Sequence, residues 1–289
     1  AQAQTWNLSL VGDWESTLRD GVSEKRTHSP AHEILSVTRS STPTLTLNHD
    51  AKGNMILTSA GQTLAWDVEN RLASASAVPG WPGGSYQYDA LGRRLSKTTG
   101  GLTTRFIHDG DQVVAEYENG TLKRRYVYGT YIDEPLARLA STGTLYYHQN
   151  RIYSAMALTN QSGQLAERYG YTPYGKRRVM SSAGATLTGS AVGNQIGFTG
   201  RYHDVETQLI YFRARYQDAE LGRFLSRIRW GQLTTLPRQN LLYPQRVSGN
   251  RVDCFTCLNI STPRTPLQSI RIPPANVFPA SFWRSEPSC

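Results

Sequence analysis

The residues best suited to metal chemistry are three cysteines near the C-terminal end of the chain. Cys254 and Cys257 form one Cys-x-x-Cys pair, and Cys289 is the final residue. A structural zinc site needs four ligands, usually two such pairs or one pair with histidines. The sequence has no second pair and no histidine after His203. We therefore predict no metal site and no cofactor.

Acid–base catalysis would require a histidine, paired carboxylates or a nucleophile beside a base. Residues 228–289 contain no histidine, and their only acidic residues are Asp253 and Glu286. The six histidines of the chain are dispersed, at positions 28, 32, 49, 108, 148 and 203. We predict that the chain is not an enzyme. The alternative is a toxin or nuclease activity in residues 228–289, which a nuclease assay on that segment would reveal.

The charge of the chain bears on its partners. The sequence has 31 basic and 22 acidic residues, a net charge of +9, and a basic balance favours polyanionic partners. Two Lys-Arg-Arg runs, at 123–125 and 176–178, lie close to tyrosines and leave a carbohydrate- or polyanion-binding module, with a glycan as partner, as a second alternative. The charges are otherwise scattered, as on solvated strand faces, so we expect no nucleic acid partner. No stretch reaches the roughly 20 apolar residues of a membrane span.

Turn signals recur along the chain. Residues 45–55, 64–72 and 86–95 share one plan, in which an alternating apolar run leads into Asp and then, three residues later, Gly or Asn. Asp or Asn accepts hydrogen bonds from nearby backbone N–H groups, and Gly or Asn adopts the positive φ that closes such a turn. The predicted structural turn residues are Asp50 with Gly53, Asp67 with Asn70, Asp89 with Gly92, Asn160 with Gly163, and Asp218 with Gly222.

The stretches between these turns alternate apolar and polar residues, as hairpin strands do. Ile210, Phe212, Ala214 and Tyr216 are expected to share one face of a strand. No segment between 40 and 227 keeps helical spacing. The predicted fold class is all-β, with about twenty strands in consecutive antiparallel hairpins.

Four segments are predicted. Residues 1–39 hold N-terminal strands that are less repetitive, with a connecting loop at 27–34; residues 40–196 hold the repeated hairpins; residues 197–227 form a densely patterned segment; and residues 228–289 form an irregular tail. That tail contains eight of the 14 prolines, and proline interrupts both helices and sheet ladders. Because no initial Met is present, we also expect either a processed chain or a fragment of a longer polypeptide.

Three stretches carry a family resemblance. Residues 86–93 (YQYDALGR) resemble the YD repeat of Rhs proteins, residues 168–178 (RYGYTPYGKRR) resemble the segment before the Rhs core motif, and residues 197–227 resemble the Rhs repeat-associated core itself. The resemblance implies a spiral β-sheet shell that encloses a C-terminal toxin or effector, with the remainder of the shell and that cargo as partners and a secreted or cell-surface location. The core-motif residues that it implies are Gly200, Arg201, Tyr202, Asp204, Tyr211, Arg213, Arg215, Tyr216, Gly222, Arg223 and Phe224.

The resemblance breaks after Arg227. Rhs proteins continue there with Asp-Pro-x-Gly, and aspartates in that region perform self-cleavage in many members; here residues 228–231 read Ile-Arg-Trp-Gly. Deleting the first base of GAT CCG ATG GGG, one coding of Asp-Pro-Met-Gly, produces those residues, so we hypothesise a single-base frameshift. We therefore expect no self-cleavage. Within the core motif, we expect His203 and Asp204 to have a role in a turn.

Overall fold

The computed structural model describes residues 4–19, 21–40 and 42–227. These residues form 22 β-strands and one short 3₁₀ turn, Phe198–Gly200. Every paired strand is antiparallel to its neighbour, and the strand order within each of three sheets follows the chain. The prediction of an all-β fold built from consecutive hairpins is confirmed.

The first two sheets contain the repeated hairpins. The five-stranded sheet consists of β1 (Gln4–Leu8), β2 (Trp14–Arg19), β3 (Val22–His28), β4 (Ile34–Arg39) and β5 (Thr42–Thr46). The thirteen-stranded sheet consists of β6 (Leu64–Trp66), β7 (Leu72–Ala75), β8 (Gly84–Tyr88), β9 (Arg94–Thr99), β10 (Leu102–Asp109), β11 (Gln112–Glu118), β12 (Thr121–Tyr128), β13 (Pro135–Ala140), β14 (Gly143–Gln149), β15 (Ala155–Asn160), β16 (Leu165–Tyr171), β17 (Arg177–Ser181) and β18 (Thr186–Leu187).

The third sheet contains the core motif and has four strands. These are β19 (Tyr202–Asp204), β20 (Leu209–Tyr211), β21 (Tyr216–Asp218) and β22 (Arg223–Phe224). All nine residues of β19, β20 and β21 are buried. Because both faces of these short strands are covered, they lack the alternation of buried and exposed residues seen in the longer strands of the thirteen-stranded sheet, which we call the wall.

Alternation of side chains explains the wall strands. In β10, Thr104 and Phe106 are buried while Arg105 and Ile107 are exposed. Side chains in a strand point alternately to opposite faces, so one face can pack while the other meets solvent. One tyrosine on each of β8, β12, β14 and β16 belongs to the same buried cluster as several core-motif residues: Tyr86, Tyr126, Tyr147 and Tyr169 lie with Tyr202, Leu209, Tyr211 and Tyr216. The thirteen-stranded sheet therefore packs one face against the core motif.

The segment between β5 and β6 joins the first two sheets. Leu47 N–H donates to the Leu35 carbonyl at 2.9 Å, Ile56 N–H to Asn48 at 2.8 Å, and Leu64 N–H to Ile56 at 3.0 Å. Isolated bridges pair His49 with Met55 and Leu57 with Thr63. These bonds continue the hairpin pattern from one sheet to the next.

Two expectations about the N-terminal strands differ from the structure. Residues 27–34 are not a loop between segments, because β3 and β4 pair directly and Ser29–Glu33 form the turn between them. The predicted boundary at 39/40 falls in the turn between the paired strands β4 and β5. Ser29, Pro30 and His32 lack the Asp/Gly signature, which is why the repeat was not recognised here.

The predicted strand containing 210–216 is wrong. It is interrupted after β20 because Arg213 adopts a positive φ of 59°. Phe212 N–H donates to the Arg215 carbonyl at 2.8 Å, which closes a hairpin between β20 and β21. Tyr211 and Tyr216 consequently face each other across that hairpin instead of lying on opposite faces. The apolar alternation through Phe212 and Ala214 conceals this turn.

The predictions for residues 228–289, namely the irregular tail, the frameshift and Cys254, Cys257 and Cys289, lie outside the described residues. The proposed division of the chain at 196/197 stays a prediction. Among the residues that are described, no helix is long and apolar enough to cross a membrane.

Candidate functional site

The turn at Asp89 shows what the repeated signature does. The Asp89 carboxylate accepts hydrogen bonds from the backbone N–H groups of Leu91 at 2.9 Å and Arg93 at 2.8 Å. Gly92 N–H donates to the Asp89 carbonyl at 3.0 Å, and Gly92 adopts a φ of 81° that an L-residue with a Cβ rarely takes. Aspartate thus satisfies the inner N–H groups of the turn while glycine closes it.

The same five-residue geometry recurs in ten turns of the described chain. Four were recognised from the sequence, beginning at Asp50, Asp67, Asp89 and Asn160. Six lack the full signature of Asp or Asn followed by Gly or Asn, beginning at Ser9, Ser29, Thr58, Asn150, Thr172 and Ser181. In five of these six a hydroxyl replaces the carboxylate. A search for Ser or Thr three residues before Gly would have found four of them.

Arginines at the end of two of these turns link each turn to the next. Arg71 Nε donates to Asp67 Oδ2 at 2.7 Å within its own turn, and Arg71 Nη1 reaches the Asp89 carbonyl at 3.1 Å. Arg93 repeats this, with Asp89 Oδ2 at 2.7 Å and the Gly110 carbonyl at 2.8 Å. The arginine of the signature therefore stabilises contacts between successive hairpins as well as its own turn.

Aromatic residues just before the turns make a second set of links. Each donates a hydrogen bond to a backbone carbonyl of an earlier strand or strand end: Trp66 to Met55, Tyr88 to Leu72, His108 to Arg94, Tyr128 to Val113, and Tyr171 to Ala155, at 2.7 to 3.1 Å. Their polar atoms connect neighbouring strands, because a buried phenol, indole or imidazole N–H or O–H needs an acceptor.

The core motif is fastened to the wall by buried ion pairs. Asp204, in β19, accepts hydrogen bonds from Arg94 Nη1 at 2.5 Å and Nη2 at 3.1 Å, and from Lys97 Nζ at 3.1 Å. Both basic residues lie in β9, and the side chains of Arg94 and Asp204 are 2% and 0% exposed. Lys97 also contacts Glu206 Oε2 at 3.0 Å. Removing one member of such a group would leave an uncompensated buried charge.

The pKa values of the two carboxylates in this cluster, Asp204 and Glu206, are shifted in opposite directions. Burial alone would raise the pKa of Asp204, but the charges of Arg94 and Lys97 hold it below its usual value. Burial together with the neighbouring charge of Asp204 raises the pKa of Glu206. Carboxylates with separated pKa values occur in acid–base sites. Here the side chains are only 0% and 1% exposed, and both carboxylates are paired with basic groups of β9 in the interior.

A second buried carboxylate holds Tyr202. Glu116 Oε1, in β11, accepts hydrogen bonds from the hydroxyls of Tyr202 and Tyr126, both at 2.7 Å. Its other oxygen pairs with Arg124 at 2.7 Å. The Tyr202 ring also packs edge-on against Phe106. Both polar and apolar contacts therefore join β19 to three strands of the wall.

Asp133 holds two arginines of the core motif. Its carboxylate lies 2.7 Å from Arg201 Nη2 and 2.7 Å from Arg213 Nη2. Gly200 approaches the Asp133 backbone so closely that a Cβ would collide with it, and its φ is 71°. Burial raises the pKa of Asp133 to about 6 despite Arg213. Gly200, Arg201 and Arg213 are thereby brought to one point between β12 and β13.

The remaining core-motif residues divide between the buried cluster and an outer group. Tyr211 and Tyr216 lie within the cluster, where the Tyr216 hydroxyl is 3.1 Å from that of Tyr88 and accepts from Arg94 at 3.2 Å. Arg215 stacks on Phe224 at 3.6 Å, and burial lowers the pKa of Arg215 to about 10. The structure therefore does not bring all the implied residues to one site.

The turn Asp218–Gly222 and Arg223 contact the N-terminal sheet. Asp218 accepts from the N–H groups of Glu220 and Leu221, and the Gly222 N–H donates to its carbonyl at 2.8 Å. A Cβ on Gly222 would meet the Trp14 ring. Arg223 donates to the His32 carbonyl. These contacts join the end of the core motif to β2 and to the β3–β4 turn.

The expected turn role holds in part for Asp204, whose backbone carbonyl accepts the N–H groups of Thr207 at 3.2 Å and Gln208 at 2.7 Å, but not for His203. Both lie in β19 and are buried. His203 Nε2 accepts a hydrogen bond from the Phe198 N–H at 3.0 Å, and burial holds the His203 pKa well below its usual value. Arg94, Lys97, Glu116 and Asp133 were missed from the sequence because their partners lie about 70 to 110 residues away, as in Asp204 with Arg94.

No group of three or more His, Cys, Asp or Glu residues within 4–19, 21–40 and 42–227 could hold a metal ion. The titratable groups of the core motif instead form ion pairs and hydrogen bonds with the wall, as Asp204 and Arg213 illustrate. What this arrangement does chemically is to join two layers of β-structure.

A family model described as Teneurin YD-shell matches residues 33–250. The chain is 30% identical over 186 residues to the tRNA3(Ser)-specific nuclease WapA of Bacillus spizizenii, covering 62% of this chain and 8% of the relative. It is 24% identical over 218 residues to the double-stranded DNA deaminase toxin A of Burkholderia cenocepacia, covering 63% and 15%. The chain thus spans a small part of these relatives.

Solved structures share the fold. The Photorhabdus luminescens Tc holotoxin pore carrying the mutation TccC3-D651A matches with a TM-score of 0.54 and 16% identity, over 80% of this chain and 14% of that one. A TcdB2-TccC3-Cdc42 crystal structure matches with a TM-score of 0.52 and 17% identity, over 78% and 14%. At these identities the likeness concerns the fold alone.

Proposed function

Because the chain belongs to the teneurin YD-shell family, we propose that it is a non-catalytic wall segment of a larger shell that encloses a C-terminal toxin or effector. The resemblance to Rhs shells noted from the sequence is confirmed by the family match. The enclosure of a cargo, and the absence of catalysis, are proposals. The remainder of the shell and the cargo are the proposed partners.

The buried attachment of the core motif is the observation that carries this proposal. The motif ends at Arg227, so any polypeptide that continues from it starts at a segment fixed to the wall through Asp204, Tyr202 and Arg213. A wall that must retain a cargo benefits from such an anchor at the point where the cargo begins. The anchor also uses the charged groups that a catalytic site would need.

The relatives support the separation of wall and activity. One is named a tRNA nuclease and another a DNA deaminase, yet both align with this chain. Two different chemistries do not share one catalytic site, whereas a common wall can serve both. The aligned part is also a small fraction of each relative, 8% and 15%.

Protease protection tests the enclosure. The polypeptide that contains this segment with its complete shell and C-terminal extension is digested with a nonspecific protease, and the extension is followed by immunoblot. We expect the extension to survive in the intact protein and to be degraded once Asp204→Asn and Arg94→Met weaken the anchor. Equal degradation with and without these substitutions would contradict the proposal.

Activity assays on the purified 289-residue chain test the absence of catalysis. The chain is incubated with tRNA and with double-stranded DNA, and cleavage and deamination are measured. We expect neither reaction. Turnover that remains with the chain through purification to homogeneity would show that the segment is itself an enzyme.

A further inference from the structure

A cavity of about 320 Å³ lies where the N-terminal sheet meets the core motif. Its walls come from β1, β2, β3 and β4, from the β16–β17 turn and from the β21–β22 turn. The volume falls within the range of small-molecule binding sites, roughly 300 to 1,000 Å³. None of the core-motif ion pairs described above with Asp204, Glu116 or Asp133 lines it, so this cavity is separate from the anchor.

Three aromatic rings line the cavity. They belong to Trp6, Trp14 and Tyr174. Trp6 meets Trp14 with a centroid separation of 6.2 Å and an angle of 61°, and Trp14 meets Tyr174 at 4.6 Å and 68°. In such edge-on contacts at most one ring of a pair uses its face. The Arg26 guanidinium already lies over the Trp14 ring, 4.4 Å from its centroid, so the Trp6 ring is the candidate stacking surface. The negative charge density of a ring face attracts the weakly positive C–H groups of a ligand.

Planar charged groups surround the rings. Arg39 Nε donates to Glu24 at 2.8 Å, and its Nη2 lies 3.6 Å from Glu220 without a hydrogen bond. Arg19 Nη2 donates to Glu220 at 3.1 Å. Guanidinium groups only donate hydrogen bonds and carboxylates only accept them. A ligand bearing hydroxyls, which do both, is suited to this mixture.

The balance of charged residues in the cavity wall further restricts the charge that a ligand can carry. Among the described residues of the cavity wall, Arg19, Arg26 and Arg39 outnumber Glu24 and Glu220 by three to two. Lys176 adds a further positive charge, because it contacts Glu220 at 2.6 Å. A small surplus of positive charge favours one negative charge on the ligand, while the two carboxylates would repel a phosphate with more charge.

We propose that this cavity binds a uronic acid, a pyranose sugar that carries one carboxylate. The C–H face of the sugar packs against the Trp6 indole, its hydroxyls bond to the Arg and Glu groups, and its carboxylate lies near Arg19 and Arg39. This inference stands apart from the shell proposal, because a wall segment can enclose a cargo with or without a sugar site on it.

Calorimetric titration of the full 289-residue chain with glucuronate, glucose and inorganic phosphate tests the proposal. We expect saturable binding of glucuronate, at least about threefold weaker binding of glucose, and no binding of phosphate. Trp6→Ala should weaken glucuronate binding at least about tenfold, and Trp6→Phe should retain most of it. Arg19→Gln should bring the glucuronate affinity close to that of glucose.

Matched controls come from the same fold. Trp81→Ala removes a tryptophan outside the cavity, and Arg105→Gln removes an exposed arginine of β10. Neither should change glucuronate binding. The proposal is overturned if no sugar binds, if Trp81→Ala weakens binding as much as Trp6→Ala, or if glucose and glucuronate bind alike. It is equally overturned if Trp6→Ala leaves glucuronate binding unchanged.

Discussion

Buried charge is the main feature of this protein at the scale of single residues. Arg94 is almost completely buried, yet it contacts Asp204, the Tyr216 hydroxyl and the face of the Tyr211 ring. Burying a charge is costly unless it is paired and hydrogen-bonded. The paired state therefore specifies one docking position for β19, since any shift would separate Arg94 from Asp204.

Replacing either partner of this pair should destabilise the fold strongly. Arg94→Met or Asp204→Asn alone is expected to lower the free energy of unfolding by about 3 to 5 kcal/mol, because each leaves a buried charge without its bidentate partner. The double variant should lose less than the sum of the two. Urea unfolding of all four proteins measures this.

Arg105→Met is the control for that cycle, because Arg105 is an exposed arginine on the same sheet. It should change the free energy of unfolding by no more than about 0.5 kcal/mol. Additive effects of Arg94→Met and Asp204→Asn would show that the two side chains do not interact as described.

His203 should make stability depend on pH. Its pKa in the folded protein lies well below the ordinary 6.5 because of burial. The folded state therefore keeps His203 neutral while the unfolded chain takes up a proton as the pH falls below about 6.5. The stability that His203 contributes is thus present above that pH, and it is lost at up to about 1.4 kcal/mol per pH unit below it.

The His203→Gln variant isolates this effect. Free energies of unfolding of both proteins are measured from pH 8 to pH 4.5, and the difference at pH 8 accounts for the altered bond to Phe198. We expect the variant to lose stability less steeply below pH 6.5. Parallel profiles for the two proteins would contradict the burial of a neutral His203.

Hairpins with nearly identical turns are the feature at the scale of elements. The turn at Asp89 combines an aspartate that accepts two N–H groups with an arginine that reaches the next hairpin. Tyr88, one residue earlier, reaches the preceding strand. The register of β8 and β9 shifts between Gln87 and Tyr88, and such a bulge changes the direction of the following side chain. Each hairpin is consequently joined to both neighbours.

Substitutions in this turn should separate the contribution of the Asp89 hydrogen bonds from that of the Gly92 backbone conformation. Asp89→Ala removes three hydrogen bonds and is expected to cost about 1 to 2 kcal/mol. Gly92→Ala should cost about 1 to 2 kcal/mol through its positive φ alone, because no atom lies within 4 Å of a Cβ there. Thermal or urea unfolding measures both losses.

Asp109→Ala is the matched control for the aspartate. Asp109 also precedes a glycine with positive φ, but its carboxylate has no hydrogen bond or ion pair within the described part of the chain. Its replacement should be nearly neutral. A loss equal to that of Asp89→Ala would mean that the carboxylate bonds contribute little.

Unpaired strand edges are the feature at the scale of the whole molecule. Within the described residues, β1 pairs only with β2 and β18 pairs only with β17. Free N–H and C=O groups along such edges pair with other chains. In a repeat architecture each unit also depends on its neighbours to bury its face. We therefore expect the isolated chain to be marginally stable or to associate.

Light scattering after size-exclusion chromatography tests this expectation. The wild-type chain should form concentration-dependent oligomers, and Thr5→Lys on β1 should reduce them, because an edge lysine opposes strand addition. Thr121→Lys, on an exposed position of the interior strand β12, should leave association unchanged. A wild-type chain that is monomeric and melts cooperatively would contradict the expectation.

The sequence by itself determined the class of fold and the position of several turns. The roles of Asp89 and Gly92 can be predicted from the sequence because both residues act within five positions, through local hydrogen bonds and a local backbone conformation. The alternation of buried and exposed residues in β10 can be predicted for the same reason, since the two-residue period of a strand is a local property. The turn at Asn150 has the same local geometry and was missed because Tyr153 takes the place of glycine. The turn at Ser29 departs from the signature at both positions, with serine in place of aspartate and His32 in place of glycine.

Only the tertiary structure decided which of these residues matter to one another. Asp204 was expected in a turn, and its role arises from Arg94, which lies 110 positions earlier in the chain. The strand predicted through Ile210 and Tyr216 failed because Arg213 turns the backbone to reach Asp133. Such pairings depend on how one layer of β-structure docks on another. The spacing of residues along the chain does not reveal which residues that docking brings together.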